Sequence, residues 1–301
     1  MSGKQFEEGP LSCSALLAAG EAVLSEHGVE ESRLDAWYLF SEAFSMDRAA
    51  YFLHMQEPAP ADKAEHFWNL IRRRGERIPL QQLLGVQEFM GLEFFVNESV
   101  LIPRQDTETL VEQAIGDIRA EEKKQLCILD LCTGSGCIGI SLACLLDKKD
   151  AVSEVVLSDI SPEALSVTEE NIRRLGCRER CRAAESDLFS AFDGELFDII
   201  VSNPPYIPSD VIEELAPEVR DHEPRLALDG EADGLSFYRR IGKEAPRCLL
   251  PGGSLYLEIG CGQGADVSRI LKENGFEKIE VIKDLTGKDR VVKAVFPNRT
   301  R

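Results

Sequence analysis

The chain has 301 residues, which favours two domains over one or three. Hydrophobic residues make up 44% and charged residues 29%, a globular composition that excludes a largely disordered chain. The net charge of −19 repels nucleic-acid phosphates on average and disfavours non-specific DNA or RNA binding.

No run reaches the roughly 18 consecutive apolar residues of a membrane helix. The start, MSGKQFEEGP, lacks a basic-then-apolar signal pattern, so a cytoplasmic location is expected. Nine cysteines contain no Cys-x-x-Cys pair, and there are only four histidines (His27, His54, His66, His222). No zinc or other metal site is expected, and the thiols read as small buried hydrophobes in a reducing compartment.

Residues 1–75 read as a small helical bundle. Leu16, Leu17, Ala19, Val23 and Leu24 recur at helical spacing before a stop at Gly28. Leu34, Trp37, Tyr38, Leu39, Phe40 and Phe44 mark a second helix. Asp47 is placed to cap a third with Tyr51 and Phe52. Ala64, Phe67, Trp68 and Ile71 mark a fourth, ending in Arg72-Arg73-Arg74. The aromatic positions read as core rather than ligand cage. The arginines read as a solvated helix end, favoured near the C-terminal dipole, rather than a binding patch. With no cofactor motif of its own, this region is expected to dock a substrate.

Residues 76–105 read as a connector. Pro79 and Gly85 punctuate it, and Phe89, Met90-Gly91 and Phe94-Phe95-Val96 suggest a β-hairpin. From 106 to 301 strands and helices alternate. Strands are predicted around 126–131, 154–158, 197–202, 254–259, 277–283 and 290–296, with helices around 106–120, 137–146, 162–175, 234–249 and 264–274. This predicts an α/β, Rossmann-like fold: a mostly parallel sheet covered by helices on both faces. Ligands of such sheets bind beyond the carboxyl ends of the strands.

The residues at those ends carry the chemistry. Asp130-Leu131-Cys132-Thr133-Gly134-Ser135-Gly136 is a glycine turn after a strand, where backbone can approach a ligand closely. It lacks the Gly-Lys-Ser/Thr of a phosphate loop. Asp159 ends the next strand, where a carboxylate can accept from a ribose diol. Together they point to a nucleoside cofactor without separating dinucleotides from S-adenosylmethionine. After the strand Asp198–Ser202 come Asn203-Pro204-Pro205-Tyr206. The prolines stiffen the backbone, so that the Asn203 side chain and a proline carbonyl can accept hydrogens from a planar –NH2 group. Accepting those hydrogens orients the nitrogen and raises its electron density. Tyr206 offers a flat face for a planar amide or base.

The order Asp-Leu-x-Thr-Gly-Ser-Gly, Asp159, Asn-Pro-Pro-Tyr resembles class I S-adenosylmethionine-dependent methyltransferases acting on nitrogen. It is most similar to the release factor glutamine methyltransferase family, HemK/PrmC type. The resemblance covers roughly 79–292. It includes Pro79-x-x-x-Leu83-x-Gly85, Val100-Leu101-Ile102-Pro103-Arg104-x-x-Thr107-Glu108, Glu223-Pro224-x-x-Ala227-Leu228, Asp233-Gly234-Leu235, Glu258-Ile259-Gly260 and Asp284-Leu285-x-Gly287-x-Asp289-Arg290. It implies S-adenosylmethionine as cofactor, S-adenosylhomocysteine as product and methylation of the glutamine amide in the Gly-Gly-Gln motif of peptide chain release factors. Cys132, Thr133, Gly134, Ser135 and Gly136 would form the cofactor loop, Asp159 would hold the ribose, and Asp187 and Leu188 would flank the adenine. Asn203, Pro204, Pro205 and Tyr206 would hold the substrate glutamine, with Asn203 also near the cofactor. The chain departs from the family at Cys132, where glycine is common, and at Gln105-Asp106. An adenine-N6 or other nucleic-acid amino methyltransferase would use the same Asn-Pro-Pro-Tyr turn; the charge and the lack of a large basic domain argue against it. The intact turn argues against a binding protein that has lost catalysis.

Overall fold

The computed structural model describes residues 11–120, 124–146 and 151–298; the opening ten residues read above for a signal lie outside them. The chain divides into two compact units, Met1–Gly85 with Pro217–His222, and Val86–Ala216 with Glu223–Arg301.

The first unit is helical: α1 (Cys13–Glu26), α2 (Ser32–Phe44), α3 (Arg48–His54), α4 (Ala61–Gly75), α5 (Leu80–Leu84) and the single turn α9 (Pro217–Arg220). Ser12 and Asp47 cap α1 and α3, accepting from the amides of Ala15 (3.2 Å) and Ala50 (2.8 Å). Leu16, Leu24, Trp37, Phe40, Phe44 and Phe67 are buried together, and Phe40 stacks on Phe44 with ring centroids 4.1 Å apart. Leu34, Tyr38 and Phe52 are exposed instead, so the aromatic core is narrower than its helical spacing suggests. Helix α5 lies between Pro79 and Gly85, too short to show a period in sequence.

The triple arginine departs from the expected solvated end. Arg72 and Arg73 are exposed, but Arg74 is buried. Its guanidinium donates to Asp35 (2.7 Å) and to Glu218 on α9 (2.9 Å). Arg77 donates to the other Glu218 oxygen (2.7 Å). A buried guanidinium is tolerated only when its charge and N–H groups are matched in this way.

The second unit opens with an antiparallel hairpin, β1 (Val86–Phe89) and β2 (Leu92–Phe95), turned at Met90-Gly91 with both residues at positive φ. Then follow α6 (Gln105–Ala120), β3 (Leu126–Leu131), α7 (Cys137–Leu145), β4 (Val152–Asp159), α8 (Pro162–Arg174), β5 (Cys181–Glu185), β6 (Phe197–Ser202), α10 (Arg225–Leu228), α11 (Ser236–Glu244), β7 (Leu249–Glu258), α12 (Gly264–Glu273), β8 (Glu277–Lys283) and β9 (Asp289–Val295). The sheet order is β5-β4-β3-β6-β7-β9-β8. The first five strands are parallel, and β9 runs antiparallel to both of its neighbours. Alternate residues feed two cores. Ile128 packs with Leu110 and Ile140 on one face, and Leu129 and Leu131 pack with Tyr238 and Leu271 on the other. Burial on both faces makes these strands read as continuous apolar runs. The edge strand β5, Cys-Arg-Ala-Ala-Glu, carries no such run and escapes the sequence reading.

Strand order reverses at β3, with β4 and β5 on one side and β6 and β7 on the other. Leu131 pairs with Ser202, so the chains leaving β3 and β6 emerge side by side. Such a reversal opens a crevice for ligands at the carboxyl edge.

Candidate active site

A cleft of ≈ 270 Å³ lies at that edge, wholly within the second unit. Of the residues singled out in sequence, Cys132, Thr133, Gly134, Ser135, Asp159, Asp187, Leu188, Asn203 and Pro205 line it. Gly136, Pro204 and Tyr206 do not.

The turn after β3 is fixed from below by Asp130. Its Oδ2 accepts from the Thr133 hydroxyl (2.6 Å) and the Gly139 amide (2.9 Å), joining the turn to α7. Burial pushes the Asp130 carboxyl up to about 7. Cys132 sits at φ 56 in the left-handed region, which is why glycine suits this position. Burial also holds its thiol protonated, well above the usual range. Gly134 has φ 55, and a Cβ built there meets nothing within 4 Å. Its amide donates to Asp159 Oδ2 (2.9 Å), and the Ser161 amide donates to Oδ1 (3.0 Å). Desolvation still raises the Asp159 pKa, against the lowering by those amides. Leu188, at φ 50, is held by Ser186, whose hydroxyl donates to the Leu188 carbonyl (2.7 Å) and accepts from the Ala191 amide (3.0 Å). Arg240 pairs with Asp187 at 2.7 Å on the same wall.

The turn after β6 is anchored by the buried Ser202 hydroxyl, which donates to the Leu131 carbonyl (2.8 Å). Pro204 and Pro205 are buried, and the Asn203 side-chain amide donates to Thr107 Oγ1 at 3.5 Å. Tyr206 is half-buried and packs against the core face containing Tyr238. Its hydroxyl donates to Glu258 Oε1 (3.3 Å), and its carbonyl accepts from Gln263 (3.0 Å). A Cβ on Gly234 would run into that carbonyl, and one on Gly230 would lie 2.8 Å from Tyr206 Cα. The Asp-Gly-Leu segment seen in sequence therefore makes room for the backbone of the Asn-Pro-Pro-Tyr turn.

The sequence reading quoted the segments of three further residues without their contacts. Thr107 was visible only as part of a segment and is buried on the cleft wall. Glu258 is buried at the end of β7, with Oε2 lacking any hydrogen-bond partner. Arg104, also on the wall, pairs with buried Glu223 at 2.6 Å. No local pattern marks these contacts, because each partner comes from a distant segment.

Residues 15–85 match the PrmC N-terminal domain family, and residues 109–218 match the methyltransferase small domain family. A release factor glutamine methyltransferase of Geobacter sulfurreducens is 42% identical over 269 residues, covering 89% of this chain and 91% of that protein. One of Clostridium botulinum is 40% identical over 281 residues, covering 93% of this chain and 97% of that protein. The chain belongs to the release factor glutamine methyltransferase family. Among solved structures, a release factor-specific protein-(glutamine-N5) methyltransferase from Alicyclobacillus acidocaldarius is 33% identical, covering 65% of this chain and 94% of that chain, with a TM-score of 0.40.

Membership of a methyltransferase family implies S-adenosylmethionine, and the cleft fits that group. The space over Gly134 is one that any side chain there would fill. Asp159 is ordered by two backbone amides at the cleft wall, with acceptor capacity to spare for a diol. No helix among the described residues is long and apolar enough to cross a membrane.

Proposed function

We propose that this protein methylates the side-chain amide nitrogen (N5) of the glutamine in the Gly-Gly-Gln motif of peptide chain release factors, in the cytoplasm and without acting on nucleic acid. The observation that carries this reading is the pairing of Leu131 with Ser202, which brings Asn203 and the glycine turn to one cleft. Cys132 to Gly136 form the cofactor loop, Asp159 accepts from the ribose, and Asp187 and Leu188 flank the adenine. S-adenosylmethionine supplies a methyl on a positive sulfonium and leaves as the neutral thioether S-adenosylhomocysteine. Asn203 and a proline carbonyl accept hydrogens from the glutamine –NH2 and hold its nitrogen for attack. Transfer to that nitrogen would exchange an S–C bond for an N–C bond, and the proton of the methylated nitrogen would pass to solvent water. The stiff prolines make this a positioning effect, with little reorganisation during the step. Residues 1–75 help to dock the protein substrate.

The test is transfer of tritiated methyl to a release factor, to the same factor with its Gly-Gly-Gln glutamine replaced, and to duplex DNA. Label on the first substrate alone is expected. Asn203→Ala is expected to lower turnover about 100-fold or more while S-adenosylmethionine still binds. Methyladenine in DNA with the factor unlabelled would overturn the reading in favour of a nucleic-acid enzyme.

A further inference from the structure

Asn203 can help a glutamine –NH2 group only if its oxygen, not its own –NH2, faces the cleft. A side-chain amide is nearly symmetric in shape, so packing alone discriminates weakly between its two orientations. Hydrogen-bond direction discriminates strongly, because two facing –NH2 groups offer only donors. In this structure the Asn203 –NH2 donates to Thr107 Oγ1 (3.5 Å). A threonine hydroxyl has one proton to give. For Thr107 to accept from Asn203, that proton must go elsewhere, and the buried carboxylate of Glu258 adjoins it. Glu258 Oε1 accepts from the Tyr206 hydroxyl (3.3 Å), whereas Oε2 has no hydrogen-bond partner and is open to the Thr107 proton.

We infer that Thr107 and Glu258 are positioning residues that set which end of the Asn203 amide faces the cleft, through a one-way relay from Asn203 Nδ2 to Thr107 to the Glu258 carboxylate. The inference rests on the proposed glutamine methylation. When Glu258 is ionised it can only accept, so Thr107 must donate to it and accept from Asn203. When Glu258 is protonated it can donate to Thr107, which is then free to donate to the Asn203 oxygen. The amide flips, and its –NH2 meets the substrate –NH2. The charged groups facing Glu258 are Arg290 from β9 and Asp106 from α6. Tyr206 and Tyr238 adjoin it as neutral phenols, the Tyr238 hydroxyl donating to the Glu258 main-chain carbonyl (2.8 Å), and Cys137 on α7 lies within its field. Burial dominates this balance and pushes the Glu258 carboxyl up to about 7, so the relay switches near neutrality.

The test measures kcat with both substrates saturating, on either side of neutral pH, with S-adenosylmethionine affinity measured separately by calorimetry. Wild-type kcat is expected to rise through one ionisation near pH 7. Glu258→Gln, whose amide can donate as well as accept, should lose that rise and about 10- to 100-fold in kcat, with cofactor affinity unchanged. Thr107→Val should lose a similar factor, and Thr107→Ser should restore it. A Glu258→Gln enzyme that keeps both the rate and the pH rise overturns the inference. So does equal activity of the Val and Ser variants at position 107, which decides the matter even where the Glu258 variant does not fold. Failure of the wild type to label any release factor refutes the proposed function itself and is seen before any variant is made.

Discussion

Asp159 shows how one side chain does two jobs at the residue scale. Its two backbone contacts shape the turn after β3, and the residue lines the cleft. Asp159→Ala should therefore weaken S-adenosylmethionine binding strongly, since hydrogen bonds to a charged group are each worth about 1.5–3 kcal/mol. Calorimetry on the folded variant checks this, and unchanged affinity removes Asp159 from the site. Cys132 illustrates the opposite case, a family departure with small consequences. Left-handed backbone costs a non-glycine residue about 1–2 kcal/mol, but glycine gives back about 0.4–1 kcal/mol through the freedom of the unfolded chain. Cys132→Gly should stay within about 1 kcal/mol of wild type in a denaturant melt and keep its cofactor affinity.

At the scale of elements, the Asn203–Tyr206 turn depends on the segment that packs behind it. Gly234 and Gly230 let this segment approach the Tyr206 backbone, and Gln263 from the start of α12 ties the Tyr206 and Gly234 carbonyls together (3.0 and 3.2 Å). Gly234→Ala adds a methyl against a backbone oxygen at a residue with φ 70. Strain and overpacking together should cost about 2–4 kcal/mol. Relief of that clash separates the Gly234 segment from the Tyr206 backbone and loosens the support of the Asn203–Tyr206 turn. Methyl transfer is therefore expected to fall far more than S-adenosylmethionine binding, and parallel activity and calorimetry measurements separate the two.

For the whole molecule, two sets of carboxylates pull stability in opposite directions with pH. The two guanidiniums on Glu218 hold its carboxyl down to about 2, against the raising effect of burial. Its contribution is complete above the ordinary carboxylate value and is lost as pH falls towards 2. Asp130 and Glu258, both pushed up to about 7, bind protons more tightly folded than unfolded. Stability therefore falls as pH rises from about 4 to about 7. Self-repulsion from a net charge of −19 adds to that fall. The melting temperature should peak at mildly acidic pH, Glu218→Gln should flatten the acid limb, and Glu258→Gln should flatten the neutral limb. A wild-type melting temperature that climbs between pH 6 and 8 would contradict this assignment of signs.

Much was legible from sequence because it is local. A strand–glycine–helix turn, an aspartate at a strand end and Asn203-Pro204-Pro205-Tyr206 are each contiguous; the alternation around them gives the sheet class, and their order carries the family resemblance that implies the reaction type. Two-sided burial of the strands likewise shows as unbroken apolar runs. The short edge strand β5 and the five-residue α5 were missed because neither is long enough to display a period. Arg74 was misplaced because its partners Asp35 and Glu218 are 39 and 144 positions away. The contacts of Tyr206 with Glu258 and Gln263 were not legible because those residues come from the far end of β7 and beyond. By itself, the sequence determined which side chains are available and which backbone conformations their turns must adopt. Only the tertiary structure decided their hydrogen-bond partners, and so which way the Asn203 amide faces and which carboxylates are buried, because desolvation and hydrogen-bond direction depend on groups brought together from separate parts of the chain.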